Sequence, residues 1–360
     1  MKKAELAKLR TQIDSIDDEI LALLDRRMEA VKKVGELKAS TGAAIFVPER
    51  ERAVLERLEA QALGALPKEA IRPLWREIFA AARALERPLN VAFLGPEGTY
   101  SHEAAVKRFS SQTAFTPLNS IEEVFTAVEF GRADYGCVPV ENSTEGVVTS
   151  TLDRLFRSTL KIISEFYMPI EHVLAGVDGD LSRIKKVYSH PQALAQCRGY
   201  FASTLPGAEL IECASTAAAA RAAAQEGGAA AAVCGEEAAR IAGLAEIARG
   251  VGDDVANLTR FVLIGKQESA PSGDDKTSLC LGMTDRTGAL YDALAPFKKA
   301  KISLTMIESR PSRVERFNYS FYVDLSGHKL DKEVAEAIRE VTGICAFVKV
   351  LGSYPRGKII

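Results

Sequence analysis

The first 88 residues carry apolar side chains at steps of three and four, which is the spacing of one face of an α-helix. This stripe predicts one helix from about Glu5 to Ala39, roughly 50 Å long at the α-helical rise per residue. Thr41-Gly42 marks a break, Pro48 fits the first turn of a second helix, and a third helix runs to Glu86. A domain of this size cannot cover so long a stripe alone, so we expect a coiled-coil-like dimer. The stripe comprises Leu6, Leu9, Ile13, Ile16, Ile20, Leu23, Val34 and Leu37.

Two cations lie on or near this apolar stripe. Arg27 stands where the repeat expects an aliphatic residue, and Lys38, eleven positions later, falls on the same helical face. Arg10 faces another direction and could reach a shared ligand only across a partner helix. A cation in such a seam is costly unless it meets an anion. The charges therefore either set the register of a coiled coil or form part of an anion site.

After residue 88 the pattern changes to short apolar strands that alternate with helices. Such alternation over residues 89–267 predicts an α/β domain with mainly parallel sheets and ligand sites at strand ends. Four clusters rich in Ser, Thr and Asn stand where predicted strands end and helices begin, at 95–101, 141–144, 189–192 and 215–216. Exposed backbone N–H groups at helix starts bind carboxylates. The four clusters therefore predict a cleft between two lobes for a small polyanion.

The last block has a different order of elements. Residues 268–276 have the composition of a linker. Residues 277–354 then read as strand, helix, strand, strand, helix, strand, which is a ferredoxin-like α+β unit. The chain is therefore predicted to be multi-domain, with an all-α domain at 1–88, a two-lobed α/β domain at 89–267 and the α+β unit at 277–354.

Composition and charge exclude several function classes. A net charge of −2 gives no indication of nucleic acid or an anionic membrane as a partner. The chain has no signal-peptide pattern, no membrane-length apolar run and no nucleotide-binding glycine motif. The six cysteines form no CxxC pair and the four histidines lack metal-ligand spacing. We therefore expect reduced thiols, no metal or other cofactor, and a cytoplasmic location.

The helical block resembles the all-helical chorismate mutase family at Arg10, Arg27, Lys38, Glu86 and the run PERERAVLERL at 48–58. That resemblance implies a dimer whose sites use both chains and rearrange chorismate to prephenate without a covalent intermediate. It implies that Arg10 and Arg27 hold carboxylates and that Lys38 and Glu86 donate to the breaking ether oxygen. It also implies that Glu51 binds the ring hydroxyl with support from Arg50. Many relatives have Asp, Ser and Gln where this chain has Val47, Ala82 and Glu86.

The α/β block resembles the prephenate dehydratase family through four strings. They are VAFLGPEGTYSHEAA at 91–105, PVENSTEGVV at 139–148, SHPQALAQC at 189–197 and NLTRF at 257–261. The resemblance implies two lobes similar to periplasmic binding proteins, with the substrate between them. It implies that prephenate loses its ring hydroxyl and ring carboxylate to give phenylpyruvate. Thr259, in a polar turn, would be the proton donor, and the implied carboxylate ligands are Asn142, Ser143, Ser189, Gln192, Gln196 and Arg260.

The α+β unit resembles ACT regulatory domains at GALYDAL (288–294) and at ESRP (308–311). The resemblance implies feedback inhibition by L-phenylalanine, bound between paired domains at Gly288, Ala289, Leu290, Glu308, Ser309, Arg310 and Pro311. Two alternatives stay open from sequence. The chain could be an arogenate dehydratase, or the cleft and sensor could form a non-catalytic amino-acid-binding regulator.

We expect mutase activity to rise as the pH falls below neutral. A carboxyl group at Glu86 has to carry a proton before it can donate to an ether oxygen. Initial rates with chorismate over a pH series measure this, and Glu86→Gln, whose amide donates without titrating, is expected to flatten the profile. A flat profile in the unsubstituted protein, or one that Glu86→Gln leaves unchanged, would contradict the prediction.

Overall fold

The computed structural model describes residues 2–41, 43–62, 64–110, 113–253, 256–283, 286–311 and 319–360. Gly42, at the predicted break after the first helix, lies outside these ranges. The described chain folds into three blocks in the predicted order: helices alone, then two mixed α/β lobes, then a small α+β sheet domain.

The N-terminal block consists of three helices, α1 (Lys2–Thr41), α2 (Pro48–Gln61) and α3 (Lys68–Glu86). Only the C-terminal part of α1 packs on α3, where a Cβ at Gly35 would lie 3.0 Å from Glu86 Cγ. No described residue of α1 is buried, and six apolar side chains of its stripe are 47–58% exposed. One chain therefore leaves the apolar face of α1 uncovered; the six are Leu6, Leu9, Ile13, Ile16, Ile20 and Leu23.

The α/β block contains eleven strands among its described residues. Their bounds are β1 Asn90–Leu94, β2 Ala114–Leu118, β3 Tyr135–Asn142, β4 Gly146–Val147, β5 Lys161–Pro169, β6 Val173–Gly176, β7 Lys186–Ser189, β8 Glu209–Glu212, β9 Ala230–Cys234, β10 Ala245–Arg249 and β11 Leu258–Gly265. The helices are α4 Tyr100–Phe109, α5 Ile121–Glu129, α6 Thr149–Arg157, α7 Pro191–Gln196, α8 Arg198–Thr204, α9 Thr216–Glu226 and α10 Glu236–Ala242, with a 3-10 turn at Leu181–Arg183.

Each lobe is built on its own sheet. The first has the strand order β2-β1-β3-β11-β5, with β4 on β3, and the second has the order β10-β6-β9-β7-β8. Each sheet contains parallel and antiparallel pairs, so the prediction of mainly parallel sheets is wrong. The physical reason in the first lobe is that the chain leaves along β5 and returns along β11, and β11 runs antiparallel to both of its neighbours, β3 and β5.

The chain crosses between the lobes twice, and the two crossings lie side by side. The Ile170 N–H donates to Asn257 O at 2.8 Å, and the Val251 N–H donates to His172 O at 3.1 Å. Paired crossings of this kind hold the two lobes together, and the cleft between the lobes begins at the crossings. Residues at the crossings are therefore well placed to contact whatever the cleft contains.

The C-terminal block is a four-stranded sheet with order β13-β14-β12-β15. All its pairs are antiparallel, and its βαββαβ order matches the prediction. Its elements are β12 Asp275–Met283, α11 Ala289–Lys299, β13 Leu304–Pro311, β14 Tyr319–Ser326, α12 Lys332–Thr342 and β15 Phe347–Pro355. One face of this sheet packs on the first lobe, since Cys280, Tyr322 and Tyr354 share a core with Val262 and Ile264 of β11.

A buried ionic cluster joins the first lobe to this C-terminal domain. Arg260 of β11 pairs with Glu165 of β5 at 2.7 Å and with Asp324 of β14 at 2.5 Å. Lys276 of β12 reaches Glu165 at 2.9 Å. All four side chains are at most 4% exposed. The two cations and two carboxylates neutralise one another, and this pairing offsets the cost of removing the charges from water.

Hydrogen bonds complete the cluster. Arg260 donates to the Tyr354 hydroxyl at 2.9 Å, and the Gly357 N–H donates to Glu165 at 2.9 Å. Burial alone would raise the pKa of Glu165, but Arg260 and Lys276 hold it below its usual value. A depressed carboxyl pKa adds stability at neutral pH that is lost as the pH falls through the folded-state value.

Removing one carboxylate of this cluster is expected to destabilise the protein. Asp324→Ala leaves a buried guanidinium short of a counter-ion, so the free energy of unfolding should fall by about 3 kcal/mol. Chemical denaturation followed by circular dichroism measures this. The control replaces both charges, Arg260→Met with Asp324→Leu, and should recover most of the loss. An Asp324→Ala protein as stable as the parent would contradict the prediction.

Candidate functional site

A cleft of about 510 Å³ lies between the two lobes. Residues from all four predicted polar clusters line it, including Thr99, Asn142, Gln192 and Ser215. Thr259 lies in its wall beside Phe261. The structure therefore brings together segments that are far apart in sequence, and it does so at the edge where the chain crosses between the lobes.

The Thr259 side chain is held by Asn142. In the strand register Thr259 stands opposite Asn142, and the Asn142 amide nitrogen donates to Thr259 Oγ1 at 2.8 Å. The same nitrogen donates to Asn257 Oδ1 at 2.7 Å. Both amide protons are thus used. Because Thr259 Oγ1 accepts from Asn142, its own O–H is free to donate into the cleft.

The orientation of Asn142 is fixed by the turn that follows it. Its Oδ1 accepts the backbone N–H groups of Thr144 and Glu145, both at 3.0 Å. This local turn settles which end of the amide is oxygen, so the NH₂ end must face Thr259. Asn257 was not predicted as a site residue, although its place in the NLTRF string two positions before Thr259 could have indicated it.

Two helix starts face the cleft. Thr99 caps α4 in the first lobe, and Ser215 caps α9 in the second. Both caps and the residues that follow them, such as Thr216, line the cleft. Free N–H groups in the first turn of a helix and the positive end of its dipole attract carboxylates. The cleft therefore has one anion-binding feature on each lobe.

Gln192 and Gln196 also line the cleft, as predicted. Gln196 Oε1 lies 2.8 Å from His172 Nε2, and the other ring nitrogen of His172 lies 2.5 Å from the Tyr100 hydroxyl. Neither Tyr100 nor His172 was predicted as a site residue. Sequence gave no signal for His172, because a lone histidine beside an apolar strand is most often structural.

Three residues that sequence assigned to the cleft lie elsewhere. Ser189 is fully buried and donates to Val233 O at 2.6 Å, while Ser143 bonds the backbone of residues 256 and 258. Thr259 belongs to strand β11, as Arg260 does, and not to a polar turn. Consecutive strand residues point to opposite faces, so Arg260 enters the buried cluster while Thr259 enters the cleft. This corrects the assignment of Arg260 as a carboxylate ligand.

Part of the predicted mutase site is assembled in the helical block. Lys38 Nζ lies 3.1 Å from Glu86 Oε2 and also donates to Ile45 O. Both side chains line a cavity of about 470 Å³. Arg27 lies over the Phe79 ring at 5.7 Å, and its buried Nη1 has no hydrogen-bond partner. Burial lowers the pKa of Arg27.

The remaining mutase residues are not with this group. Glu51 faces a different cavity and is paired with Arg83 of α3 and with Arg108 of α4, the latter at 3.4 Å. This corrects its assignment beside Lys38 and Glu86, because two guanidinium groups already occupy its carboxylate. Arg10 and Arg50 are exposed in a single chain.

The two predicted effector segments lie at the same end of the C-terminal sheet. The register pairs Met283 with Tyr319 and Tyr319 with Pro311. Gly288, just after Met283 in the chain, caps α11 with φ of +79°, a conformation that favours glycine. Glu308–Pro311 is the end of edge strand β13.

Within the described ranges, no cluster of three or more His, Cys, Asp or Glu side chains is suited to a metal ion. Nor does any described helix combine the length and apolarity needed to cross a bilayer. The six cysteines are free, and four of them are buried.

A hinged polar cleft, a helical block and a ferredoxin-like sheet domain together define a modular enzyme with a regulatory domain. Residues 9–87 match chorismate mutase type II, residues 91–269 match prephenate dehydratase and residues 277–343 match the ACT domain. The bifunctional chorismate mutase/prephenate dehydratase of Aquifex aeolicus is 45% identical over 356 residues, 98% of each chain. The chain therefore belongs to the bifunctional chorismate mutase/prephenate dehydratase family, which confirms the resemblance found in the sequence.

Two further comparisons agree with this. The Escherichia coli protein of the same name is 33% identical over 99% of this chain and 97% of its own length. The crystal structure of the Arthrobacter aurescens prephenate dehydratase in complex with L-Phe is 34% identical, with a TM-score of 0.69. It matches 74% of this chain and 90% of its own.

Proposed function

We propose that this protein rearranges chorismate to prephenate in its helical block and converts prephenate to phenylpyruvate in its cleft. The observation that carries the second activity is the Asn142–Thr259 hydrogen bond at 2.8 Å. It leaves a threonine hydroxyl in a polyanion cleft with its proton directed outward. A non-catalytic binding module would not need a hydroxyl group held in that way.

The dehydratase step needs a proton at the leaving hydroxyl. The bond between the ring and its carboxylate breaks and the carboxylate leaves as carbon dioxide. The electron pair of that bond passes through the ring, and the ring hydroxyl departs as the ring becomes aromatic. Thr259 donates to that oxygen, so water leaves instead of hydroxide. A threonine is a weak acid, and we attribute its effect to positioning by Asn142 and to fast reprotonation from solvent.

The substrate carboxylates are held by groups on both lobes. The starts of α4 and α9 supply free N–H groups on opposite walls, and Gln192 and Gln196 supply amide donors from α7. Binding that uses both lobes favours a closed cleft and excludes water from the reacting ring. Arogenate would present an amine in place of the ketone of prephenate, and the same carboxylate contacts would serve it.

The mutase site is completed by a second chain. Lys38 and Glu86 line one cavity, and the unpartnered buried Nη1 of Arg27, on the same helix as Lys38, is suited to a carboxylate. In its own chain Arg10 lies 17 residues before Arg27, roughly five turns of helix. We assign it to the site of a partner, across the apolar stripe of α1 that one chain leaves exposed.

L-phenylalanine is proposed as the feedback inhibitor. Gly288 and the Glu308–Pro311 segment lie at one end of the C-terminal sheet, and β13 is an edge strand. An edge strand is open to pairing with a second copy. The effector is proposed to bind there, between the ACT domains of a dimer, and to favour a less active state.

Thr259→Ala is expected to abolish the dehydratase and spare the mutase. The purified protein is incubated with chorismate while prephenate and phenylpyruvate are followed together. The variant should accumulate prephenate, with phenylpyruvate formation lowered about 100-fold or more. Thr259→Ser, which keeps a hydroxyl, is the matched control and should retain much of the rate. Undiminished phenylpyruvate from Thr259→Ala would refute the assignment.

Prephenate that accumulates in the unsubstituted protein would refute the dehydratase activity, and a parallel assay with arogenate would then test that substrate.

A charge placed in the apolar stripe of α1 is expected to weaken the dimer and, with it, the mutase activity but not the dehydratase activity. Ile13→Glu places a carboxylate in the α1 seam, so the dimer should weaken and mutase kcat/KM should fall about 100-fold as Arg10 is lost from the site. Leu21→Glu makes the same change off the stripe and serves as the control. Light scattering gives the mass of each variant. An Ile13→Glu protein that stays dimeric with full mutase activity would contradict the proposal.

A further inference from the structure

A chain of hydrogen-bonded side chains runs from the first lobe to the second and back to the first. It runs from Tyr100 on α4 to His172 at the crossing, then to Gln196 on α7, then to Glu145 on the β3–β4 turn. The distances are 2.5, 2.8 and 3.4 Å. Its two ends lie in the first lobe and its middle in the second. The proposed chemistry assigns a role only to Gln196.

The acceptors in this chain fix the position of each proton. A carboxylate only accepts, so the end of Gln196 that faces Glu145 is the NH₂ group. The Gln196 oxygen then faces His172, and it can accept only if Nε2 of the imidazole carries the hydrogen. A neutral imidazole has one N–H, so Nδ1 is bare and the Tyr100 O–H donates to it. Burial lowers the pKa of His172, which agrees with a neutral ring.

Both neighbours of Gln196 thus require one orientation of its amide. In the reverse orientation an amide oxygen would face the Glu145 carboxylate and any substrate carboxylate in the cleft. His172 would need its other tautomer, and Tyr100 would be left with Glu171 O at 3.3 Å. His172 is held firmly enough to impose the choice, since it is 5% exposed and its backbone oxygen accepts the Val251 N–H.

We propose that His172 is a positioning residue for the dehydratase reaction. It accepts a hydrogen bond from Tyr100, donates to the Gln196 oxygen, and so presents the Gln196 NH₂ group to a carboxylate of the substrate. This inference rests on the proposed role of Gln196 as a carboxylate ligand. It also gives the cleft a link between lobes that is in place before the substrate arrives, because Tyr100 and Gln196 belong to different lobes.

Three substitutions test the role by kinetics with prephenate. His172→Phe keeps a flat ring but cannot donate, so kcat/KM should fall about 10- to 100-fold, mainly through a higher KM. His172→Gln places a donor near the position of Nε2 and should recover much of the loss. Gln196→Leu should lower kcat/KM to a similar extent, and the double variant should be no worse than the poorer single variant.

A merely structural histidine would give a different pattern. The phenylalanine and glutamine variants would then be equally impaired, and the losses from His172→Phe and Gln196→Leu would multiply. Either result, or a His172→Phe protein with unchanged KM, would overturn the proposal. Thermal melting of each variant shows whether the fold is kept.

A spectroscopic test does not depend on turnover. Nitrogen-15 NMR of the four imidazoles reports which ring nitrogen is protonated, and the signals missing from His172→Phe assign those of His172. The proposal requires the Nε2–H tautomer in the unliganded protein. An Nδ1–H tautomer would overturn it. If the protein showed the Nε2–H tautomer but turned over neither prephenate nor arogenate, the proposed function would fail while the geometry at Gln196 held.

Discussion

The buried ion cluster around Arg260 is the interaction on which the arrangement of domains depends. Two cations and two carboxylates, each at most 4% exposed, join strands from the first lobe and the ACT domain. Charges so placed are tolerated only when every one is matched. The cluster therefore requires both domains to be folded and docked, and it fixes the position of β11, the strand that carries Thr259. Its geometry also explains why Glu165 and Asp324 are buried although neither lies near the cleft.

Sequence reasoning predicted much of this fold because local patterns carried it. The long helix and the ferredoxin-like order followed from spacing and turn residues. Sheet direction did not, because β11 enters the first sheet by pairing with β3 and β5, which are far from it in sequence. Arg260 and Glu165, for example, are 95 positions apart. Periodicity within a window contains no information about which distant strand will be the neighbour.

The candidate site was likewise predicted in part. Thr259, Asn142, Gln192 and Gln196 were named from motifs and they line one cleft. The directions of side chains were less predictable. Arg260 follows Thr259 in the motif yet faces away from it, because strand alternation separates neighbours in sequence. Ser189 and Glu51 were likewise taken up by partners that the motifs do not contain, Val233 O and Arg108. The motifs therefore identified the segments of the site, and only the structure showed which side chains line the cleft and which are bonded elsewhere.

Strand β11 joins the cleft to the ACT domain. One of its faces presents Thr259 to the cleft, where Asn142 donates a hydrogen bond to the hydroxyl oxygen. Its other face presents Arg260 to Asp324 of β14. β14 lies beside β13, whose end carries the Glu308–Pro311 segment. Any displacement of β14 relative to β11 must carry Arg260 with it or leave a buried charge unmatched. A change at the end of the ACT sheet that carries Glu308–Pro311 can thus reach the strand that carries Thr259 through side chains that are already in contact.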